Sequence, residues 1–198
     1  MIAIVDYGVG NLKSLQNAFR YLGLGSKLAA TPEEIGQADR LVLPGVGAFG
    51  YGMMKIEQQG LREPLLEAAA AGKPVLGICL GMQLLFAGSE EADRPGLGLI
   101  PGEVVRFRTA LKVPHMGWNE IVPARESPLL AGLPDTRYAY FVHSYYCVPG
   151  SDSVSAATTV YDQSFCSVVV QDNIFGVQFH PEKSQELGLR ILKNFAEV

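Results

Sequence analysis

The sequence predicts an α/β fold: a mostly parallel central sheet flanked by helices, with an antiparallel portion in the C-terminal half. Three observations lead there. In the first half, apolar runs of about four residues, each closed by a glycine or proline turn, alternate with segments of helical spacing. Beyond about Gly96 the chain turns to short runs rich in Val, Tyr and Phe, separated by Gly, Pro, Asp and Asn, as in antiparallel strands and hairpins. No linker, low-complexity tract or internal repeat divides the chain, so residues 1–198 are expected to form one domain.

Taken in order, Ile2 to Val5 is a buried strand that ends in the turn Asp6-Tyr-Gly-Val-Gly-Asn11. Leu12, Leu15, Phe19 and Leu22 then share one face of a helix. Lys27 to Ala30 is a candidate strand, and Thr31-Pro-Glu-Glu34 opens a helix with proline in its first turn. Arg40 to Leu43 is a strand closed by Pro44-Gly-Val-Gly47. Leu61 to Ala71 is a helix, and Val75 to Ile78 a strand that runs straight into another helix through Phe86. In the second half, strands are expected at Glu103 to Phe107, Tyr138 to Tyr145, Ala156 to Tyr161, Phe165 to Gln171 and Ile174 to Phe179. Gln185 to Ala196 closes the chain as a helix, with Leu189, Leu192 and Phe195 on one face.

A chain of 198 residues buries roughly 70% of its unfolded surface, enough to fold without a disulfide or metal staple. The net charge of −4, with no strongly basic segment, argues against general nucleic-acid binding. No apolar run approaches the ~18 residues of a membrane span, and the first six residues do not read as a signal peptide. Cys79, Cys147 and Cys166 are odd in number and form no CxxC pair, which points to a reduced, cytoplasmic setting.

The most informative residue is Cys79. It sits at the strand-to-helix corner in Gly77-Ile-Cys-Leu-Gly81, with glycines at both second neighbours. A sharp turn of this kind has no room for extra Cβ atoms, and it aims the central side chain outward at a helix N-terminus. A thiol nucleophile also needs a base and a group to orient that base. Of three histidines, His180 ends the apolar run Gly176-Val-Gln-Phe-His180, and Glu182 stands two residues on. Cys79 and His180 lie 101 positions apart (180 − 79), so their meeting is an expectation about the fold. The Pro44 to Gly47 loop, with two glycines after a buried strand, suits backbone donors for an oxyanion. Cys147 and Cys166 lack elbow glycines and are assigned to packing. Gly8-Val9-Gly10 is read as a turn: the third glycine of a dinucleotide fingerprint would fall at Lys13, and no phosphate-binding P-loop is present.

With these residues assembled, the chain resembles the class I (triad) glutamine amidotransferases. Gly77-Ile-Cys-Leu-Gly81 matches their nucleophile elbow, and His180-Pro-Glu182 their base and orienting acid. Within that family it is similar to the glutaminase subunits of imidazole glycerol phosphate synthase. That likeness rests on Asp6 to Asn11, Pro44 to Gly47, Gly77 to Phe86, Pro114-His-Met-Gly-Trp-Asn-Glu120, Phe141-Val-His143 and Gly176 to Ser184. The resemblance implies catalysis by Cys79, His180 and Glu182, with an oxyanion hole from the backbone of Val46, Gly47 and Leu80. It implies a glutamine pocket lined by Gly47, Gln83, Glu91, Ser144 and Tyr145. It implies a partner, a (β/α)8-barrel cyclase subunit in a heterodimer, met through His115, Met116, Trp118, Asn119, Tyr140 and Lys183. No cofactor and no metal is called for. The glycines beside Val46 would allow a peptide flip that keeps the free subunit nearly inactive.

Other readings stay open on these residues. Glutaminase subunits of pyridoxal phosphate synthase or anthranilate synthase share the triad. An inactive docking module on the same fold, or a cysteine hydrolase of peptides or esters, is also compatible with parts of the pattern. Trp118 fits an interface anchor, or a core tryptophan under the loop that Pro114 begins; Glu91 fits a pocket residue or an exposed one.

Overall fold

The computed structural model describes all residues, 1–198. The short apolar runs become strands and the amphipathic segments become helices. In chain order these are β1 (Ile2–Val5), α1 (Leu12–Tyr21), β2 (Ser26–Ala29), α2 (Pro32–Gln37), β3 (Arg40–Leu43), α3 (Phe49–Gln58), α4 (Arg62–Ala70), β4 (Val75–Ile78), α5 (Leu80–Leu84) and β5 (Phe86–Ser89). There follow β6 (Ile100–Arg106), β7 (His115–Glu120), β8 (Val122–Pro123), β9 (Tyr138–His143), β10 (Tyr145–Pro149), β11 (Ser155–Tyr161), β12 (Gln163–Gln171), β13 (Ile174–Val177) and α6 (Gln185–Glu197).

The main sheet runs β2-β1-β3-β4-β13-β12-β10-β6-β5, with β11 and β8 continuing from β12. From β2 to β13 the neighbours are parallel; β12, β10 and β6 continue antiparallel. β7 and β9 pair separately as a two-stranded antiparallel sheet. All four residues of β1, β4 and β13 are buried, because helices cover both faces of this part of the sheet. Ala3 and Val5 pack on one side with Ile35, Phe49, Ile56, Leu65 and Leu84. Ile2 and Ile4 pack on the other with Leu15, Phe19, Ile191 and Phe195. The alternation of β1 thus feeds two cores, one on each face. No helix is long and apolar enough to cross a membrane.

Three local expectations need correction. The helix after Cys79 has five residues, not a run to Phe86, and β5 begins at Phe86. Residues Tyr138 to Tyr145 form two strands in different sheets, broken at Ser144. The segment after Pro114 is strand β7 rather than a loop. Helix α3 went unread because Gly50 and Gly52 lower its propensity and Ala48 gives its start no side-chain cap. Packing selects one of those glycines: a Cβ on Gly50 would lie 2.8 Å from Ala92 Cβ.

Candidate active site

Parallel pairing brings the predicted groups together. β4 lies between β3 and β13, with Leu43 opposite Gly77 and Ile78 opposite Val177. The carboxyl ends of these three strands therefore deliver the Pro44 to Gly47 loop, Cys79 and His180 to one edge, where open α/β sheets place their ligands. The 101 residues between Cys79 and His180 (180 − 79) collapse to neighbouring strands. The Cys79 N–H extends the ladder, donating to Val177 O at 2.8 Å.

Cys79 occupies φ 54°, ψ −109°, a conformation that L side chains rarely adopt. Such strain costs on the order of 1–3 kcal/mol and persists only where packing over-determines it. Gly81 supplies that packing: a Cβ there would stand 1.8 Å from Leu43 O. The flanking glycines thus let the elbow press against β3. With only five residues α5 sums few peptide dipoles, so the N–H groups of its first turn, Leu80 among them, are its main offering to an anion.

His180 and Glu182 have nearly inaccessible side chains, 4% and 5% exposed. His180 Nδ1 meets Glu182 Oε1 at 2.9 Å; since the carboxylate accepts, Nδ1 carries a proton and Nε2 is turned toward Cys79. Nε2 is buried with no well-aligned protein partner. Burial by itself would lower the His180 pKa, but bonding to Cys79 and to Glu182, with their charges, outweighs it and raises the value to about 10. His180 is therefore set to hold a proton at neutral pH. Its backbone is pinned as well: Ser184 Oγ donates to His180 O (2.6 Å) and accepts from Tyr140 N–H (3.0 Å).

Beside Cys79 opens a cavity of about 420 Å³. Val46, Gly47, Leu80, Gln83, Glu91, Ser144 and Tyr145, all expected at the oxyanion or glutamine site, line it. Glu91 is half-buried; its Oε2 accepts Phe49 N–H at the start of α3 (2.7 Å), and Oε1 has no protein partner. Gln83 spends both amide hydrogens on Tyr145 O and Gln178 Oε1 (3.1 Å each), which leaves its Oε1 as a free acceptor. Val46 is 45% exposed at the loop tip and Gly47 sits at φ 100°, whereas the loop root is fixed by the buried Tyr7 hydroxyl donating to Pro44 O at 2.6 Å. Burial, then the Cys79 charge, raise the Tyr7 pKa far above its ordinary range, so it remains a donor. A larger concavity of about 720 Å³ between Pro123 and Arg137 contains no cysteine or histidine.

The expected partner residues divide. Met116 (61% exposed) and Trp118 (48%) stand out from β7, which excludes a core role for Trp118. The Trp118 ring meets Tyr140 edge-on at 6.0 Å, and Lys183 Nζ lies 5.6 Å from the Tyr140 ring centroid. His115 and Asn119 do not belong to this face. The period of two in β7 turns them inward: His115 is 3% exposed, and Asn119 is half-buried with its amide on His115 Nε2 (3.2 Å) and Val160 O (2.9 Å).

The sequence reading missed several residues at the site. Pro114, Val142 and His143 also line the cavity. His143 accepts from His115 through Nε2 (2.9 Å) and donates through Nδ1 to Tyr145 O (2.7 Å). Burial lowers His115 to about 4 and, with the charges of His115 and His180 opposing the bond to Tyr145, His143 to about 3, so both stay neutral. Gln178, fully buried, directs its amide N–H at Cys79 Sγ from 3.8 Å. Only the motif around His180 signalled this strand, and nothing in it marked Gln178 as polar toward the sulfur.

Comparison with known proteins agrees with this geometry. The model of the family described as glutamine amidotransferase class-I matches residues 3–198. The imidazole glycerol phosphate synthase subunit HisH of Syntrophotalea carbinolica is 51% identical over the whole of both chains. That of Methanothermobacter thermautotrophicus is 52% identical, covering all of this chain and 98% of its own. Among solved structures, a glutamine amidotransferase superposes with TM-score 0.79 over 99% of this chain and 97% of its own; at 18% identity it speaks for the fold alone. The chain belongs to the class-I glutamine amidotransferases, in the group of the imidazole glycerol phosphate synthase HisH subunits.

Proposed function

We propose that residues 1–198 act as one glutamine amidotransferase domain, the glutaminase subunit of an imidazole glycerol phosphate synthase working in the cytoplasm. The observation that carries this reading is the delivery of Cys79, the His180–Glu182 pair and the Pro44 to Gly47 loop to one sheet edge beside the 420 Å³ cavity.

The side-chain amide of glutamine enters against Cys79, with its ammonium on the free Oε1 of Glu91 and the acceptor of Gln83. Cys79 sulfur attacks the amide carbon, and the carbonyl oxygen gains charge in front of the backbone N–H groups of Leu80 and the Val46–Gly47 loop. Each such donor is worth roughly 3–4 kcal/mol in other enzymes. His180, held protonated by Cys79 and by Glu182, gives its proton to the departing nitrogen as the C–N bond breaks, and ammonia leaves. Water, deprotonated by the now neutral His180, then attacks the thioester; glutamate departs and the starting state returns. No cofactor or metal takes part.

The ammonia is consumed by a (β/α)8-barrel cyclase partner in a heterodimer, forming imidazole glycerol phosphate and an aminoimidazole carboxamide ribotide for histidine biosynthesis. Met116, Trp118, Tyr140 and Lys183 form the docking face. The exposed loop tip on its rigid root fits a donor that turns into place only when the partner binds. Glutaminase assays with and without cyclase and its ribonucleotide ligand test this: turnover should be low alone and rise with both added. Full turnover alone contradicts the gating, and none under any condition contradicts the glutaminase reading.

A further inference from the structure

Cys79 sulfur has one side-chain neighbour outside the triad that donates to it. Gln178 is 0% exposed, and its Nε2 lies 3.8 Å from Sγ. A fully buried amide is costly unless all its hydrogen-bonding groups are engaged. Here both ends are: Oε1 accepts from Gln83 Nε2 at 3.1 Å, and Nε2 turns to the sulfur.

The direction of that amide is fixed from outside. Gln83 can reach Gln178 only with an N–H, because its other N–H is spent on Tyr145 O. Tyr145 O is itself held by His143 Nδ1–H (2.7 Å), and His143 Nε2 accepts from His115 Nδ1 (2.9 Å). His115 Nε2 in turn accepts from Asn119, whose amide is anchored on Val160 O. Every group in the row has one consistent donor–acceptor assignment, and that assignment leaves Gln178 presenting N–H, not C=O, to Cys79.

We infer that Gln178 is a further catalytic residue, an oriented N–H donor that stabilises the sulfur of Cys79 as a thiolate, with Gln83 as the positioning residue that sets its direction. This inference rests on Cys79 being the nucleophile. A donor on a thiolate raises the fraction ionised but lowers the intrinsic nucleophilicity by about half as much on a logarithmic scale. Removing a bond to a charged group of ordinary strength should therefore slow Cys79 roughly three- to tenfold.

The test is the second-order rate of Cys79 alkylation by iodoacetamide at fixed pH, read by mass spectrometry of the Cys79 peptide in the intact chain, alongside glutaminase kinetics with the partner present. Gln178→Met keeps the side-chain length and removes the donor. It should slow alkylation about three- to tenfold and lower kcat with little change in the KM for glutamine. Gln83→Met should also slow alkylation, and the double variant should be no slower than Gln178→Met alone, since one substitution acts through the other. Alkylation at the wild-type rate in folded Gln178→Met overturns the inference, and so do independent, multiplying effects of the two substitutions. If Gln178→Met does not fold, the Gln83→Met rate decides: a wild-type rate there overturns the proposed orientation. A wild-type enzyme alkylated at Cys79 that still turns over glutamine would instead defeat the nucleophile reading itself.

Discussion

At the scale of single residues, the proposed chemistry turns on the His180–Glu182 pair. Glu182 does two things: it keeps a proton on Nδ1 and, with Cys79 as the larger contributor, raises the His180 pKa. Glu182→Gln should therefore lower the His180 pKa from about 10 and reduce kcat on the order of 10²- to 10⁴-fold. An NMR titration of the His180 imidazole together with steady-state rates checks both. An unchanged pKa would mean that Cys79 alone holds the proton. That Cys79, His180 and Glu182 come together was legible because each sits in a pattern with a physical reason, the elbow glycines and the strand-end histidine. Gln178 and Tyr7 were not, since a lone polar residue in an apolar strand or turn says nothing about which side chain will meet it. His115 and Asn119 were misplaced for a related reason: a segment taken as a loop has no period, and its inward face cannot be read.

At the scale of elements, the site is made by β4 lying between β3 and β13, and by close approach at the elbow. Gly81→Ala forces a Cβ to 1.8 Å from Leu43 O, which neither backbone can yield without parting β3 from α5. A loss of about 3 kcal/mol or more in denaturant unfolding is expected, at the upper end of overpacking costs. Gly36→Ala is the matched control: it lies in α2 with open space around it and should stabilise by about 0.4–1 kcal/mol. Ser184→Ala would leave Tyr140 N–H without its acceptor and take one of two donors from His180 O, which keeps the Lys183 N–H at 3.0 Å. It should cost about 1–3 kcal/mol by the same measurement. Strands β1, β3 and β4 are legible to the residue, because four-residue apolar runs closed by glycine or proline turns have few other solutions, whereas helix α3 and the end of α5 are not. The break at Ser144 was invisible: Tyr138 to Tyr145 is uniformly β-prone, and only the tertiary fold sends its ends into different sheets. That break is what brings His143, Ser144 and Tyr145 to the cavity.

At the scale of the whole molecule, the buried histidines make stability depend on pH with opposite signs. His115 and His143 have folded pKa values below the unfolded value near 6.5, so the unfolded chain takes up protons first and stability falls as pH drops from about 6.5 toward 4. His180 is raised, so its contribution is complete below about 6.5 and fades as pH climbs toward 10. Thermal unfolding should thus show a maximum Tm near neutrality. Replacing His115 and His143 with Gln should flatten the acid limb only; an unaltered acid limb would assign it to other groups. The two-stranded β7–β9 sheet and the backbone of His180 are joined by hydrogen bonds through Tyr140 and Ser184. All of the proposed chemistry depends on Cys79 attacking the side chain of glutamine. An electrophilic diazoketone or chloroketone analogue of glutamine tests it most directly, with peptide mass spectrometry and residual activity followed together. One adduct per chain is expected, on Cys79, with glutaminase activity lost in proportion and glutamine protecting. An adduct on Cys147 or Cys166 with loss of activity, or a fully labelled Cys79 in an active enzyme, would contradict it.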